Sequence, residues 1–245
     1  MSAWLSQTAQ KLDEETHAVF ALADHELHAD RSGALYWPAQ STLIVADLHF
    51  EKGSSFARFR QHLPPYDTAA TLAQLSKILT YYQPTRVIAL GDSVHDRSAW
   101  DRLGERDREA LSALCHQVKD WVWIAGNHDP EPPTGVPGRS ALELALDGLI
   151  FRHEPGGDVS NGQAEVAGHL HPAARVIGKG GSARRPAFAS DGARLILPAF
   201  GAYAGGLCLS AAPFKELFAK SSLKALVCGR TRVFTVPGSK VLGWR

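Results

Sequence analysis

Short apolar runs recur through the first half of the chain, each cut off by Gly, Asp, Asn or His. STLIVAD (41–47), RVIALGD (86–92) and WVWIAGN (121–127) are apolar at consecutive positions, which predicts strands buried on both faces. Between them the period changes. Leu72, Leu75, Ile78 and Leu79 recur at helical spacing within 67–81, and Leu111, Leu114 and Val118 do so within 105–119. Strand, helix, strand, helix, strand at these lengths predicts parallel βαβ units. Ligands of such sheets bind beyond the carboxyl ends of the strands. All three predicted ends carry metal-competent side chains: Asp47 and His49, then Asp92, then Asn127.

The second half is patterned differently. GLIFRH (148–153), AEVAGHLHP (164–172), RRPAFAS (184–190), ARLILPAF (193–200) and ALVCGRTRVFTVP (225–237) read as strands with short connections, and only 213–220 suggests a helix. These strands predict a second sheet facing the first. The Gly-rich stretches 155–162 and 178–182 read as loops, and residues 1–16 as a polar helix or loose arm whose Trp4 and Leu5 could dock on the body. No low-complexity linker, repeat or composition break divides the chain, so one domain over 1–245 is expected.

Composition narrows the functional classes. With 44% apolar and 21% charged residues over 245 positions, the chain can bury a sizeable core without a disulfide or metal merely to fold. The formal net charge of +1 gives no global attraction to nucleic acid or membrane, so a basic binding surface has to be local. Cys115, Cys208 and Cys228 are odd in number and widely spaced, which speaks against a disulfide framework or a thiolate zinc site. The opening residues lack a basic region followed by an apolar run, and no stretch approaches the ~18 apolar residues of a membrane span. A soluble cytoplasmic protein without membrane association is expected.

Histidine carries more information. Five motifs occur in order: Asp47-x-His49, Gly91-Asp92, Gly126-Asn127-His128-Asp129, His153 after an apolar strand, and Gly168-His169-x-His171. Singly, each is common; in order, each at a predicted strand end, they point to one site. Two divalent ions ~3.5–4 Å apart can bind both the attacking and the leaving oxygen of an in-line displacement at phosphorus. Ions that close need an anionic bridge, and Asp92 is the natural candidate. Asp47-x-His49 and His169-x-His171 alternate, so in an extended segment both members of each pair can face one way. Asn127 offers a neutral carbonyl oxygen. Carboxylate, amide and imidazole without thiolate suit manganese, iron or zinc better than a soft metal; two divalent ions are expected, manganese foremost, with iron, zinc or nickel as alternatives.

The series DLH…GD…GNHD…H…GHLH resembles the signature of the calcineurin-like metallophosphoesterases. The resemblance implies an α/β sandwich, with two facing mixed β-sheets flanked by helices. It implies that Asp47, His49, Asp92 and His171 hold one metal, and Asp92, Asn127, His153 and His169 the other. His128 becomes the non-ligand histidine near the substrate, oriented by Asp129. No ligand position is missing, which argues against a degenerate scaffold member. The GDSVHDRS segment departs from the GD-x-x-DRG of the superfamily's protein phosphatases, because His95 precedes the Asp and Ser98 replaces the Gly. GNHD also stands where those enzymes carry GNHE.

A narrower resemblance covers more of the chain. GALYWPAQSTLIVADLHFEKGSSF, LPPYDT, GDSVHD, GHLHPAARV, RRPAF and LPAFGAYAGGL together are similar to the ligase-associated DNA-damage-response endonucleases, bacterial proteins linked with DNA ligase and helicase partners. That implies single-stranded or damaged DNA as substrate. Lys52, Arg58 and Arg60 follow the first metal motif, interleaved with Phe56 and Phe59; Lys179, Arg184 and Arg185 flank the Gly-rich loop after the last. Such cations could grip phosphates beside the scissile bond, or they could be ordinary exposed arginines beside two core phenylalanines. His95 is either near the substrate or a solvated loop histidine. LPAFGAYAGGL lacks GxGxxG or Walker spacing and reads as close backbone packing near the site.

The expected activity is therefore hydrolysis of DNA phosphodiesters in repair, by a hydroxide activated between two metals with His128 near the leaving group. Three alternatives remain: a small-nucleotide phosphodiesterase or phosphatase, a protein phosphatase, and a non-enzymatic repair adaptor stabilised by metals.

Overall fold

The structure is a computed structural model that describes residues 16–58, 66–130, 135–156, 159, 162–178 and 181–243. The expectations for the 1–16 arm, and for Phe59, Arg60 and Lys179, lie outside these residues, apart from Thr16; the Arg58 side chain is likewise outside them.

The first sheet contains β1 (His17–Leu22), β2 (His25–Asp30), β3 (Leu35–Trp37), β4 (Thr42–Val45), β5 (Arg86–Leu90), β6 (Asp120–Ile124) and β7 (Arg139–Ala141), in that spatial order. β1 to β4 pair antiparallel, and β4 to β7 pair parallel. The second sheet is built from β8 (Glu143–Leu146), β9 (Leu149–Arg152), β10 (Ala164–Ala167), β11 (Pro172–Gly178), β12 (Gly181–Ser190), β13 (Arg194–Ile196), β14 (Leu207–Cys208), β15 (Lys224–Cys228) and β16 (Val233–Pro237). Its main path runs β14-β11-β12-β13-β10-β9-β8, with β15 on β12 and β16 on β15. β10 lies parallel to both β9 and β13. Among the described residues no helix is long and apolar enough to cross a membrane.

The doubly apolar strands have a direct cause. Along β4, Leu43 and Val45 turn to a core shared with Leu72, Leu75 and Leu79 of the helix Asp67–Tyr82. Ile44 and Ala46 turn the other way, to a core between the sheets that also holds Ile88, Val122, Phe151, Val166, Phe188 and Leu226. A third cluster packs Phe214, from the helix Ala212–Leu217, on the outer face of the second sheet through Ala174, Ala189 and Val227. The layers are thus helix, sheet, sheet, helix, with two mixed sheets face to face.

Several expectations need correction. Residues 225–237 are two antiparallel strands joined by a turn. Of the stretch 178–182 expected as a loop, Gly178, Gly181 and Ser182 are strand residues, since β11 and β12 stay paired out to Gly178 opposite Gly181; Lys179 and Gly180 lie outside the described residues. β1 to β3, β7, β8 and β11 are absent from the sequence reading. They are short or only partly buried, and apolar residues such as Val19, Ala21 and Ile177 stand at exposed positions, so no buried apolar run marks them.

Candidate metal centre

Each motif begins where a strand stops. Asp47 and His49 follow β4, Asp92 follows β5, Asn127 to Asp129 follow β6, His153 follows β9, and His169 and His171 follow β10. β4, β5 and β6 are mutually parallel and β9 is parallel to β10, so the carboxyl ends of both sheets open on one place. The first two turns are laced together: the amides of His49 and Phe50 donate to the carbonyls of Asp92 and Ser93 at 3.0 and 2.9 Å.

The pairs do not face inward by extended alternation. Asp47, His49, Asp92, His169 and His171 all have positive φ, from 46° to 68°. The turns after β4 and β10 coil, and left-handed residues aim both side chains of each pair inward. Gly91 supplies room between them. It has φ of 70°, and a Cβ there would lie 2.6 Å from the His153 ring. The LPAFGAYAGGL segment packs closely, as expected. Phe200 and Gly201 donate their amides to Ala46 and Asp47 at 2.8 and 3.1 Å, and a Cβ on Gly201 would sit 2.3 Å from the Leu48 carbonyl.

Among the described residues, two groups of metal-competent side chains converge: Asp47, His49 and His171, and Asp92, His153 and His169. In the first, His49 Nε2 lies 3.2 Å from His171 Nε2, which is 3.1 Å from Asp47 Oδ1. In the second, Asn127 Oδ1 lies 2.9 Å from His153 Nε2 and 3.0 Å from His169 Nδ1, and Asp92 Oδ1 is 3.4 Å from His153 Nε2. His153 Nδ1 meets the Leu90 carbonyl at 2.8 Å. A carbonyl only accepts, so Nδ1 carries the proton and Nε2 faces the group. This backbone anchoring is how metal-bound imidazoles are usually oriented.

Electrostatics point the same way. Burial, then the field of His171, pushes His49 down to about 2, leaving a neutral imidazole with a free lone pair. Burial opposes charge on Asp92, but the hydrogen bond and field of His153, then His128, outweigh it and bring the carboxyl down to about 2. Burial also lowers His153, yet the Asp92 hydrogen bond and the fields of Asp47 and Asp92 raise it to about 9. Without cations, a proton on His153 relieves the crowded carboxylates; divalent ions would displace it, so metal uptake is coupled to proton release. Buried carboxylates, converging imidazoles and an amide oxygen fit divalent cations.

The neighbours of this centre differ in part from expectation. Asp129 does not reach the His128 ring; its carboxylate accepts the amides of Gly126 at 3.1 Å and Ser93 at 2.7 Å, tying the third motif to the second. Burial raises this carboxyl to about 6. The His128 amide donates to Asp92 Oδ1 at 2.9 Å, and its ring stacks on His95 with centroids 5.6 Å apart and 16° between planes. Phe56 lies against the His95 ring, with centroids 5.7 Å apart. Lys52 bears electrostatically on both His49 and His95, and burial lowers its own pKa. The His95 stacking has no signature in the sequence, because it depends on how two turns meet.

Arg184 and Arg185 lie on β12 and line a cleft of about 210 Å³ that also includes His171. Neither has an ion-pair partner among the described residues. The sequence reading omits Arg175, which β11 places directly opposite Arg184.

The family model of calcineurin-like phosphoesterases matches residues 41–188, from β4 through the last metal motif into β12. The chain belongs to the calcineurin-like phosphoesterase family. Its reaction class is accordingly phosphoester hydrolysis, and the dinuclear site used by the family has its counterpart in the two side-chain groups. Among solved structures, Pseudomonas putida nuclease MPE is similar over 90% of this chain and 100% of its own, with 28% identity and a TM-score of 0.69. Yfce, a phosphoesterase from E. coli, aligns over 80% of this chain and 98% of its own, with 12% identity and a TM-score of 0.38. No curated protein sequence gives a significant match.

Proposed function

We propose that this family member is a metal-dependent phosphodiesterase that cuts DNA internally, single-stranded or damaged, and acts in cytoplasmic DNA repair alongside DNA ligase and helicase partners. The step from phosphoester to DNA is carried by Arg184 and Arg185, without ion-pair partners among the described residues, in a cleft that reaches His171. A nuclease must hold phosphates beyond the reacting one, and such cations do so with little sequence preference. The likeness to a nuclease over most of the chain supports the same reading.

Asp47, His49 and His171 would hold one divalent ion, and Asn127, His153 and His169 the other, with Asp92 shared. Such ions, manganese first, supply Lewis acidity to the phosphoryl group and acidify water. The chain's own residues do the rest. Leu90 fixes the His153 tautomer. Asp129 holds the second and third turns in register through two amides. His128 is partly exposed, with Nε2 3.8 Å from Asp92 Oδ2, so its imidazole can serve substrate without being consumed as a ligand. We assign it to the proton of the departing oxygen. The small-nucleotide alternative is favoured by the net charge of +1, which supplies no general attraction to a polyanion.

Circular single-stranded DNA separates the two readings, because it offers no end to an exonuclease. The manganese-loaded protein is expected to linearise the circle. An intact circle, alongside rapid hydrolysis of small nucleotides, overturns the endonuclease assignment in favour of the alternative.

A further inference from the structure

The cleft beside His171 has a composition that a phosphate grip alone does not require. Besides Arg184 and Arg185, it is lined by three prolines, Pro172, Pro186 and Pro198, and by Gly205 and Gly206. Rigid apolar rings and bare backbone make a wall against which a flat ring can lie. At about 210 Å³ the cleft falls below the about 300–1,000 Å³ of pockets for drug-sized ligands, so it suits one ring system at a time.

The basic rim is kept at a cost to the fold. Arg175 and Arg184 stand directly opposite each other across β11 and β12, and like charges so placed destabilise a sheet. No carboxylate neutralises either of them among the described residues. An exposed hairpin that retains this repulsion has charge left for an anionic ligand.

We propose that this cleft is a nucleotide subsite: it takes the base of the residue next to the reacting phosphate, while Arg184, on the same face of β12 as Pro186, holds that residue's other phosphate. The inference rests on the DNA reading above and deepens it. A base can enter only when unpaired, so the cleft selects unstacked nucleotides one bond from the metal groups. The contact is packing of a ring face against proline rings, and like aromatic platforms it is sequence-tolerant because every base presents a flat face.

The test maps cleavage of a short single strand by the full-length, manganese-loaded protein, with one abasic nucleotide walked along the strand. Each abasic position is expected to suppress cutting of the bond on one side of it by ~10-fold, the low end of the range for losing one base stacked on an aromatic platform. Two variants probe the protein side: Arg184→Ala with Arg185→Ala, and Ala204→Phe, which fills the cleft. In both, the ratio of kcat/KM for the strand to that for a chromogenic diester should fall ~10-fold or more. Thermal melting checks that each variant is folded, and the abasic walk needs no variant at all. A flat abasic map with ordinary strand cleavage overturns the subsite and leaves the nuclease reading standing. A strand left intact by a protein that hydrolyses the chromogenic diester overturns both.

Discussion

Five residues of the candidate centre are held in left-handed backbone: Asp47, His49, Asp92, His169 and His171. Asp and His tolerate that region better than most side chains, but each still stores strain of order ~1–3 kcal/mol. The strain is balanced by the amides and carbonyls that lace the turns, such as His169 N to Asp47 Oδ2 at 3.0 Å. His171, with φ of 46°, isolates the effect. His171→Ala and His171→Gly both remove the imidazole, but only glycine removes the strain. The left-handed penalty of ~1–2 kcal/mol exceeds the added chain entropy of glycine, ~0.4–1 kcal/mol. The glycine variant should therefore be the more stable by about 1 kcal/mol in urea unfolding, with metal binding weakened in both. An alanine variant as stable as the glycine one would show that the turn is unstrained. The sequence reveals which residues are metal-competent, but not this backbone, because DxH and HxH read equally well as extended segments.

The loop after Asp92 is fastened at the scale of elements. Arg102, on the short helix Ala99–Arg102, grips both oxygens of Asp96 at 2.9 and 2.7 Å and also reaches Ser54 on the helix Lys52–Arg58. One guanidinium thereby ties the His95 segment to the helix that carries Lys52 and Phe56. The Arg102 hydrogen bonds hold the Asp96 carboxyl far below the ordinary range. A folded value beneath the unfolded ~3.9 means that stability is gained above about pH 4 and lost as pH falls through the folded value. Asp96→Asn should therefore cost ~1 kcal/mol at neutral pH, below the ~1.5–3 kcal/mol of buried hydrogen bonds to charged groups because solvent screens this part-exposed pair. The difference from wild type should shrink as pH falls below about 4. A pH-independent difference in Tm would mean that the pair adds packing rather than charge. At this scale the long, doubly apolar strands and the amphipathic helices are legible in the sequence. β1 to β3 and the β11–β12 hairpin are not, since their half-exposed residues acquire meaning only from the partner strand.

The site exists only in the whole molecule. Asp47, His49, Asp92 and Asn127 come from the first sheet, and His153, His169 and His171 from the second, with His153 Nδ1 3.9 Å from Asp47 Oδ1. A divalent ion bound by both sheets would clamp the sandwich. Ligands that bind only the native state stabilise it by RT ln(1 + [L]/Kd), or ~2.7 kcal/mol at a hundredfold excess over Kd. Manganese should raise Tm accordingly, and chelator should reverse the rise. Asp92→Ala should blunt it, since that carboxylate stands between His153 and the His128 amide. An unchanged Tm in saturating manganese would contradict a metal clamp between the sheets.

The sequence by itself determined the chemistry: which side chains can hold metal, their placement at strand ends, and two apolar layers in β4, β5 and β6. Side-chain type and local period are properties of the chain, and they survive without coordinates. Only the tertiary structure decided what those residues touch. It turned Asp129 to two backbone amides instead of the His128 ring, stacked His95 on His128, and set Arg175 opposite Arg184 beside a proline-lined cleft. Apart from the Gly126 amide, which shares a turn with Asp129, each of these contacts joins residues from separate turns or strands. Their distances depend on the register and angle between elements, which no local pattern encodes.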